Sequence, residues 1–512
     1  MCRIHFPPSK WRAIVHWKQN IGRYLLASSV IATVAASGSS ASADDMAQME
    51  SQLESMQSQI KQLKRQIEET RAAAAAAQAA AAKSAESAAA AQWTSGTIET
   101  GSIEKSSGKA SSAKDDDLDL KVKWKGAPEL SSKDGKFKMK VRGRLETDYE
   151  NIGQDESITG QPDVSAAEIR RARLGVECTL WQDIYYRLEV DFANDETAIK
   201  DAYFEYIWEK LAFRVGNFKT FNSLEFLTSD RFVTFMERSA FIDSFQLDRQ
   251  IGAAALWRRD DFTLTAGIFG PHPFDEETWL DDVKSGAARI TYAPINNDDA
   301  VVHLGASWRY RQGAQDLRTD PVPANDQFFL YRARGADFHL ADRFIATPQI
   351  FDQDTFWGLE AAVICGPWSI QGEYGQLDPS IAPQFAGIDP TYSGWYVEAS
   401  WFITGEMRTY KEGEITRPKV RSPVNEGGHG AWQLAAKYDV LDLNDNATLI
   451  PTCTMCGQQN TWLIGVNWWL NDHTRLMFDY NHSTIDGGFL AGANVNDDAT
   501  IQGFGTRAQV DW

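Results

Sequence analysis

The sequence predicts an all-β protein, a 16-stranded antiparallel transmembrane β-barrel with an N-terminal α-helical coiled coil. Three observations carry that expectation. Beyond about residue 135 apolar and polar residues alternate with a period of two, segment after segment. The connections between those segments are sorted into short and long ones. The chain is also hydrophilic on average, with mean hydropathy −0.39, yet holds 18 Trp, 15 Tyr and 26 Phe. So much aromatic surface in a hydrophilic chain suits a barrel with aromatic girdles at two lipid–water interfaces.

Residues 1–43 read as a signal peptide. Lys18 and Arg23 precede an apolar stretch from Tyr24 to Ala36, and Ala41-Ser42-Ala43 supplies small residues before Asp44. After residue 43 no long uncharged apolar run follows, so membrane-spanning helices are not expected. Residues 44–91 form the expected coiled coil. Met46, Met49, Leu53, Met56, Ile60, Leu63 and Ile67 are spaced three and four apart, and Ala74, Ala77, Ala81, Ala88 and Ala91 continue the seam. A lone frayed helix is the alternative, but a helix without a packed partner is marginal in water, which favours oligomerisation. Residues 92–134 read as a linker, rich in Ser, Gly, Thr and Lys up to Asp115-Asp116-Asp117.

The barrel is assigned to residues 135–512. Phe137, Met139, Val141 and Leu145 alternate with Lys138, Lys140, Arg142 and Arg144; Tyr186, Leu188, Val190 and Phe192 alternate with Arg187, Glu189 and Asp191. Strands are expected near 137–149, 167–181, 184–193, 198–208, 211–219, 249–258, 261–269, 285–294, 300–310, 354–364, 367–375, 392–402, 430–439, 460–470, 473–482 and 500–512. A soluble sandwich alternates too, so the connections must discriminate. Short turns at 182–183, 209–210, 259–260, 295–299, 365–366 and 471–472 interleave with long loops, as periplasmic turns and external loops do in outer-membrane barrels. The short 194–197 and the long 403–429 break the order. Strands heading for the short-turn side end at Trp181, Trp208, Trp257, Trp401, Trp469 and Trp512, as an aromatic girdle requires.

In a closed barrel the polar face lines the lumen. Lys138, Lys140, Arg142, Arg144, Arg171, Arg173 and Arg187 would then form a basic stripe on one wall, able to attract anions. The alternative is a structural ladder in which Glu146, Asp148, Glu177, Glu189 and Asp191 pair with these cations. The connection 220–248 carries Phe221, Leu224, Phe226, Phe232, Phe235 and Met236, too apolar a set to sit in solvent. It is expected to fold inward as a constriction, bringing Lys219, Arg231 and Arg238 to the stripe; an amphipathic surface helix is the alternative.

These segments resemble the phosphate-selective porin O and P family over roughly residues 135–512. The likeness rests on Arg170-Arg171-Ala172-Arg173-Leu174-Gly175, on Ser223-Leu224-Glu225 and Glu237-Arg238, on Tyr396 to Glu406, on Gly430 to Tyr438, and on Gly465-Val466-Asn467-Trp468. It implies a homotrimer of sixteen-stranded barrels in the bacterial outer membrane, in contact with its lipid and lipopolysaccharide. Each barrel would have its own pore and an inward loop bearing an anion site. It implies passive diffusion of small anionic solutes, with phosphate a candidate. A broad-specificity porin is the runner-up. An envelope tether is the other alternative, its coiled coil reaching peptidoglycan.

Four cysteines remain after residue 43. A disulfide between Cys453 and Cys456 is the first reading, since no second pair or His cluster suggests a metal. No cofactor is expected, and nucleophile elbows, phosphate-cradling Gly loops and paired-His motifs are not found, so catalysis is not expected. The net charge of −19 argues against nucleic acid as a partner.

Overall fold

The computed structural model describes residues 120–512, except 125, 271–283, 314–327, 386, 451–452, 454 and 488–497. The expected signal peptide, coiled coil and first part of the linker lie outside the described residues.

Sixteen antiparallel strands form the barrel: β1 (Lys138–Gly153), β2 (Val164–Leu180), β3 (Ile184–Asp191), β4 (Ala198–Trp208), β5 (Leu211–Lys219), β6 (Arg249–Arg258), β7 (Phe262–Phe269) and β8 (Lys284–Asn296), then β9 (Ala300–Gln312), β10 (Phe351–Cys365), β11 (Trp368–Ile381), β12 (Tyr392–Phe402), β13 (Ala431–Asp442), β14 (Gly457–Asn471), β15 (Thr474–Gly487) and β16 (Ala499–Asp511). Each pairs with its neighbours in sequence, and β16 closes on β1 from Gln502 opposite Gly153 to Asp511 opposite Arg144. Closure removes the free edges that an open sheet would expose.

The two faces are inverted relative to a soluble protein. Ile268 is 71% exposed, Leu359 and Ile464 62%, whereas Glu146 and Arg309 are 0% exposed and Arg507 1%. An apolar outer wall around a charged interior is stable only where the outside solvent is lipid. Trp181, Trp208 and Trp257 are exposed on the short-turn rim, and Trp368 stacks on Trp401 there with ring centroids 4.8 Å apart. Trp469 departs from the expected girdle. It is buried inside, under the Arg475 guanidinium at 4.5 Å, because its neighbour Trp468 takes the outward position and stacks on Trp432.

The expected alternation also fails where the ladders slip, and two of these slips lie beside the basic stripe. Opposite Glu146 and Thr147 of β1, the β2 partners are Arg171 and Ile169, so Arg170 is an extra residue. Opposite Glu189 and Val190 of β3, the β4 partners are Asp201 and Ile199, so Lys200 is extra as well. A bulge of this kind turns two consecutive side chains toward one face.

The region assigned to a linker also holds structure. Leu120–Trp124 and Pro128–Ser132 form an antiparallel hairpin, and its second strand pairs with the first residues of β1, from Ser131 opposite Lys138 to Glu129 opposite Lys140. The period-two pattern of Leu120, Val122 and Trp124 is too short to stand out beside the polar tract before it.

Candidate permeation pathway

Cations crowd one wall of the lumen. Arg144 and Arg171 meet Glu146 at 3.4 and 2.5 Å, Arg173 meets Asp191 at 2.6 Å, and Arg187 meets Asp201 at 2.9 Å. Arg142 is paired with Glu177 and lies 3.5 Å from Glu189. Both expectations thus meet in one place, a basic stripe whose members carry carboxylate partners. Lys138 is elsewhere, exposed at the rim and 3.3 Å from Glu129 of the hairpin, and Lys140 lies opposite Glu129 in register.

The connection 220–248 leaves β5 and crosses the lumen. Phe226, Val233, Phe235, Met236, Phe241 and Phe245 along it are buried. Carboxylates of three other strands hold it by its backbone. Glu373 of β11 accepts from the Leu224 and Glu225 amides at 3.0 and 2.7 Å, Asp479 of β15 from Met236 at 2.7 Å, and Asp439 of β13 from Ala240 at 2.5 Å. Carboxylates are the strongest acceptors for such orphan amides. These acidic side chains therefore satisfy the loop.

The connection 403–430 folds in from the opposite end. Its short hairpin, Thr409–Lys411 paired with Glu414–Thr416, puts the Tyr410 hydroxyl 2.7 Å from His303 Nδ1 and the Gly413 carbonyl 2.7 Å from Arg289 Nη2. The sequence marked 403–429 as unusually long, and its inward course is the physical reason.

Among the described residues, two cavities flank the crossing loop. One, of about 320 Å³, lies toward the 403–430 side and is lined by nine cationic residues, among them Arg142, Arg144, Arg187, Arg214, Arg231 and Arg289, against five acidic ones. The other, of about 290 Å³, is lined by eight cationic residues against five acidic ones, and holds Arg170, Arg171, Arg173, Lys200 and Arg238. Lys219, Asp230 and Arg249 line both and so mark where the cavities approach each other. Lys219 donates to the Phe226 carbonyl at 2.5 Å rather than to a carboxylate. Asp230 is surrounded, with Arg144 at 3.3 Å, Arg171 at 3.4 Å, Arg173 at 3.7 Å and Arg238 in direct contact. Burial alone would raise the Asp230 carboxyl, but Arg238 and Arg171 hold it well below the ordinary range.

Of the ten cations chosen from the sequence, Arg142, Arg144, Arg171, Arg173, Arg187, Lys219, Arg231 and Arg238 line these cavities, while Lys138 and Lys140 line neither. Arg170, Lys200, Arg214, Arg249, Arg258, Arg289 and Arg334 line them too and went unselected. Arg214 alternates with the outward Phe213 and Val215 and could have been found; Arg170 and Lys200 required the bulges, and Arg249, at the start of its strand, has the parity of the outward Ile251, so alternation would have given it to lipid. Cys453 and Cys456 form a disulfide in the 443–456 connection. Asp148, Glu150 and Glu168 cluster in the lumen, but Asp148 is bound by Arg507 at 2.6 and 2.7 Å and Glu168 by His339 at 2.6 Å.

The model of the family described as phosphate-selective porin O and P matches residues 139–512. An uncharacterized protein of Caulobacter vibrioides is 32% identical over 410 residues, covering 76% of this chain and 77% of that one. Porin O of Pseudomonas aeruginosa is 26% identical over 426 residues, covering 77% and 93%. Among solved structures, the anion-selective porin from Comamonas acidovorans aligns with TM-score 0.46 and 13% identity over 73% of this chain and 99% of that one. With its barrel closed, its outer wall apolar and the family match spanning all sixteen strands, the chain belongs to the phosphate-selective porin O and P family, channels of the bacterial outer membrane.

Proposed function

We propose that the channel passes small anionic solutes, phosphate among them, by passive diffusion through a basic constriction. The observation supporting this most directly is the cationic excess around both cavities in a chain whose net charge is −19. Glu373, Asp439 and Asp479 are occupied by the 220–248 backbone, and around the cavities cations outnumber the carboxylates, which sets the sign of the potential along the path. Arginine forks match phosphate oxygens in pairs, and a series of such sites lets an ion move on as its neighbour enters. The family description supports phosphate as a solute. The reversal potential across a planar bilayer under a KCl gradient tests the reading. Anion preference, with chloride current reduced by added phosphate, is expected; a cation-selective pore would overturn it.

The carboxylate partners of Arg142, Arg144, Arg171, Arg173 and Arg187 favour a second reading, a broad-specificity pore whose lumen charges are structural. A reversal potential near zero would select it. We further propose a homotrimer, each barrel keeping its own pore. In it residues 44–91 join the protomers on the periplasmic side and contact peptidoglycan, while the outer wall meets lipid and lipopolysaccharide. Deleting 44–91 should leave single-channel conductance unchanged.

A further inference from the structure

The hairpin Leu120–Trp124/Pro128–Ser132 does not take part in the pore. In register, Leu130 stands opposite Met139 of β1, and Leu120, Val122 and Trp124 stand opposite Ser132, Leu130 and Pro128. Directly opposed residues share a face, so these apolar side chains continue the face of Met139 and Val141, the outward face of the barrel wall. Leu120 is 51% exposed, Val122 71% and Trp124 75%. Lys121 and Lys123 alternate with them on the other face.

The position of the hairpin is fixed at its tip. A Cβ on Gly126 would lie 2.3 Å from the His473 ring, so the tip packs closely on the turn between β14 and β15. Trp124 borders one groove with Val510 and Trp512 of the short-turn rim. The exposed apolar face is therefore continuous with the lipid-facing wall at the level of its aromatic girdle.

We propose that this hairpin is a membrane-interface anchor. Leu120, Val122 and Trp124 rest in the headgroup–acyl boundary of the periplasmic leaflet, and Lys121 and Lys123 reach its anionic phosphates. Tryptophan prefers that depth because its ring is apolar and its N–H is wet. Lysine stems lie along apolar surface while the ammonium reaches for phosphate, an attraction that an anionic surface strengthens.

The test uses the full chain in vesicles, with Cys2→Ser, Cys178→Ser and Cys365→Ser, carrying a spin label at Val122→Cys or, separately, at Lys121→Cys. The accessibility of the label to oxygen, which enters lipid, and to a water-soluble nickel complex is compared. The oxygen-to-nickel ratio is expected to be several-fold higher at 122 than at 121, and higher in vesicles containing phosphatidylglycerol than in pure phosphatidylcholine. Equal, nickel-dominated ratios at both positions would overturn the anchor. Low access to both reagents at 122, with dipolar broadening between labels, would overturn it in favour of a second copy of the chain. Heat-modified mobility on gels verifies that each labelled barrel is folded.

Discussion

Arg170 clasps Glu237 with two parallel hydrogen bonds, Nε to Oε1 at 2.8 Å and Nη2 to Oε2 at 2.9 Å. The bond exists because a bulge in β2 turns Arg170 into the lumen, where strict alternation would have sent it into lipid. Together with the ion pairs of Asp230 it ties the crossing loop 220–248 to the cationic wall, while backbone amides of the loop are held by carboxylates of other strands. Arg170→Ala removes a charge-assisted pair of about 1.5–3 kcal/mol and leaves Glu237 to Arg507 at 2.7 Å. The barrel should still fold, with a lower midpoint in heat-modifiability gels and larger open-channel current noise. Noise and midpoint equal to the parent would show that the clasp does not restrain the loop.

Asp230 is the acidic group shared by both cavities. Asp230→Asn removes one negative charge from the narrow region without changing its shape, so the anion-to-cation permeability ratio should rise. Asp230 sits in the crossing loop with its carboxyl held well below the ordinary range. Its folded value lies under its unfolded one, so its stabilising effect is present above the unfolded value and lost only as pH falls through the folded one. The difference between parent and variant should therefore persist to about pH 4, where an ordinary aspartate would already be half protonated. Reversal potentials measured from neutral pH downward check this. A difference that vanishes by that pH would show that Asp230 titrates normally.

Position along the path should separate Lys200 from Arg249. Lys200, brought in by the second bulge, lines one cavity and lies 3.7 Å from Asp248, whereas Arg249 lines both. A partly exposed charge such as Lys200 acts through water and is screened, with a Debye length of about 10 Å at 0.1 M salt and about 3 Å at 1 M. Lys200→Ala should lower anion conductance at low salt and match the parent at high salt. Arg249→Ala should remain deficient at both, because a buried charge is screened far less. Single-channel conductance as a function of KCl concentration measures both.

The barrel was legible because its signals are local: a period of two, the parity of loop lengths and tryptophans at strand ends. All sixteen strands fall where that pattern put them, most boundaries shifting by a few residues. On the strands the pore lining is legible where alternation is strict, as at Arg142, Arg144 and Arg187, and in the crossing loop through its apolar composition, as at Arg231 and Arg238. Arg170 and Lys200 enter through single-residue insertions, whose register is a property of the paired strand and cannot be read from one strand alone. Trp469 was misplaced for a related reason, since two adjacent tryptophans leave the inward one undecided. The carboxylates of Glu373, Asp439 and Asp479 looked like simple acidity, and their role depends on loop amides distant in sequence.

The inward hairpin of the 403–430 connection turns on one glycine. Gly413 has φ +86°, follows Glu412 at φ +50° and offers its carbonyl to Arg289 at 2.7 Å. A left-handed pair of this kind matches the twist of a two-residue hairpin, and a β-branched residue there costs about 1–2 kcal/mol in backbone strain. Space is short as well. A Cβ at this position would lie 3.0 Å from Thr291 Oγ1, 3.2 Å from Thr263 Oγ1 and 3.3 Å from Arg289 Nη1. Gly413→Val should therefore push the hairpin off the wall, widen the cavity it narrows and release Arg289 from its carbonyl. Single-channel conductance should rise toward that of a deletion of residues 409–416, while the heat-modifiability midpoint changes little, because the barrel ladders are untouched. If the valine variant conducts like the parent and the deletion does not, the turn tolerates the residue. If neither differs from the parent, the hairpin does not limit the current, and the narrow region is set by the crossing loop alone.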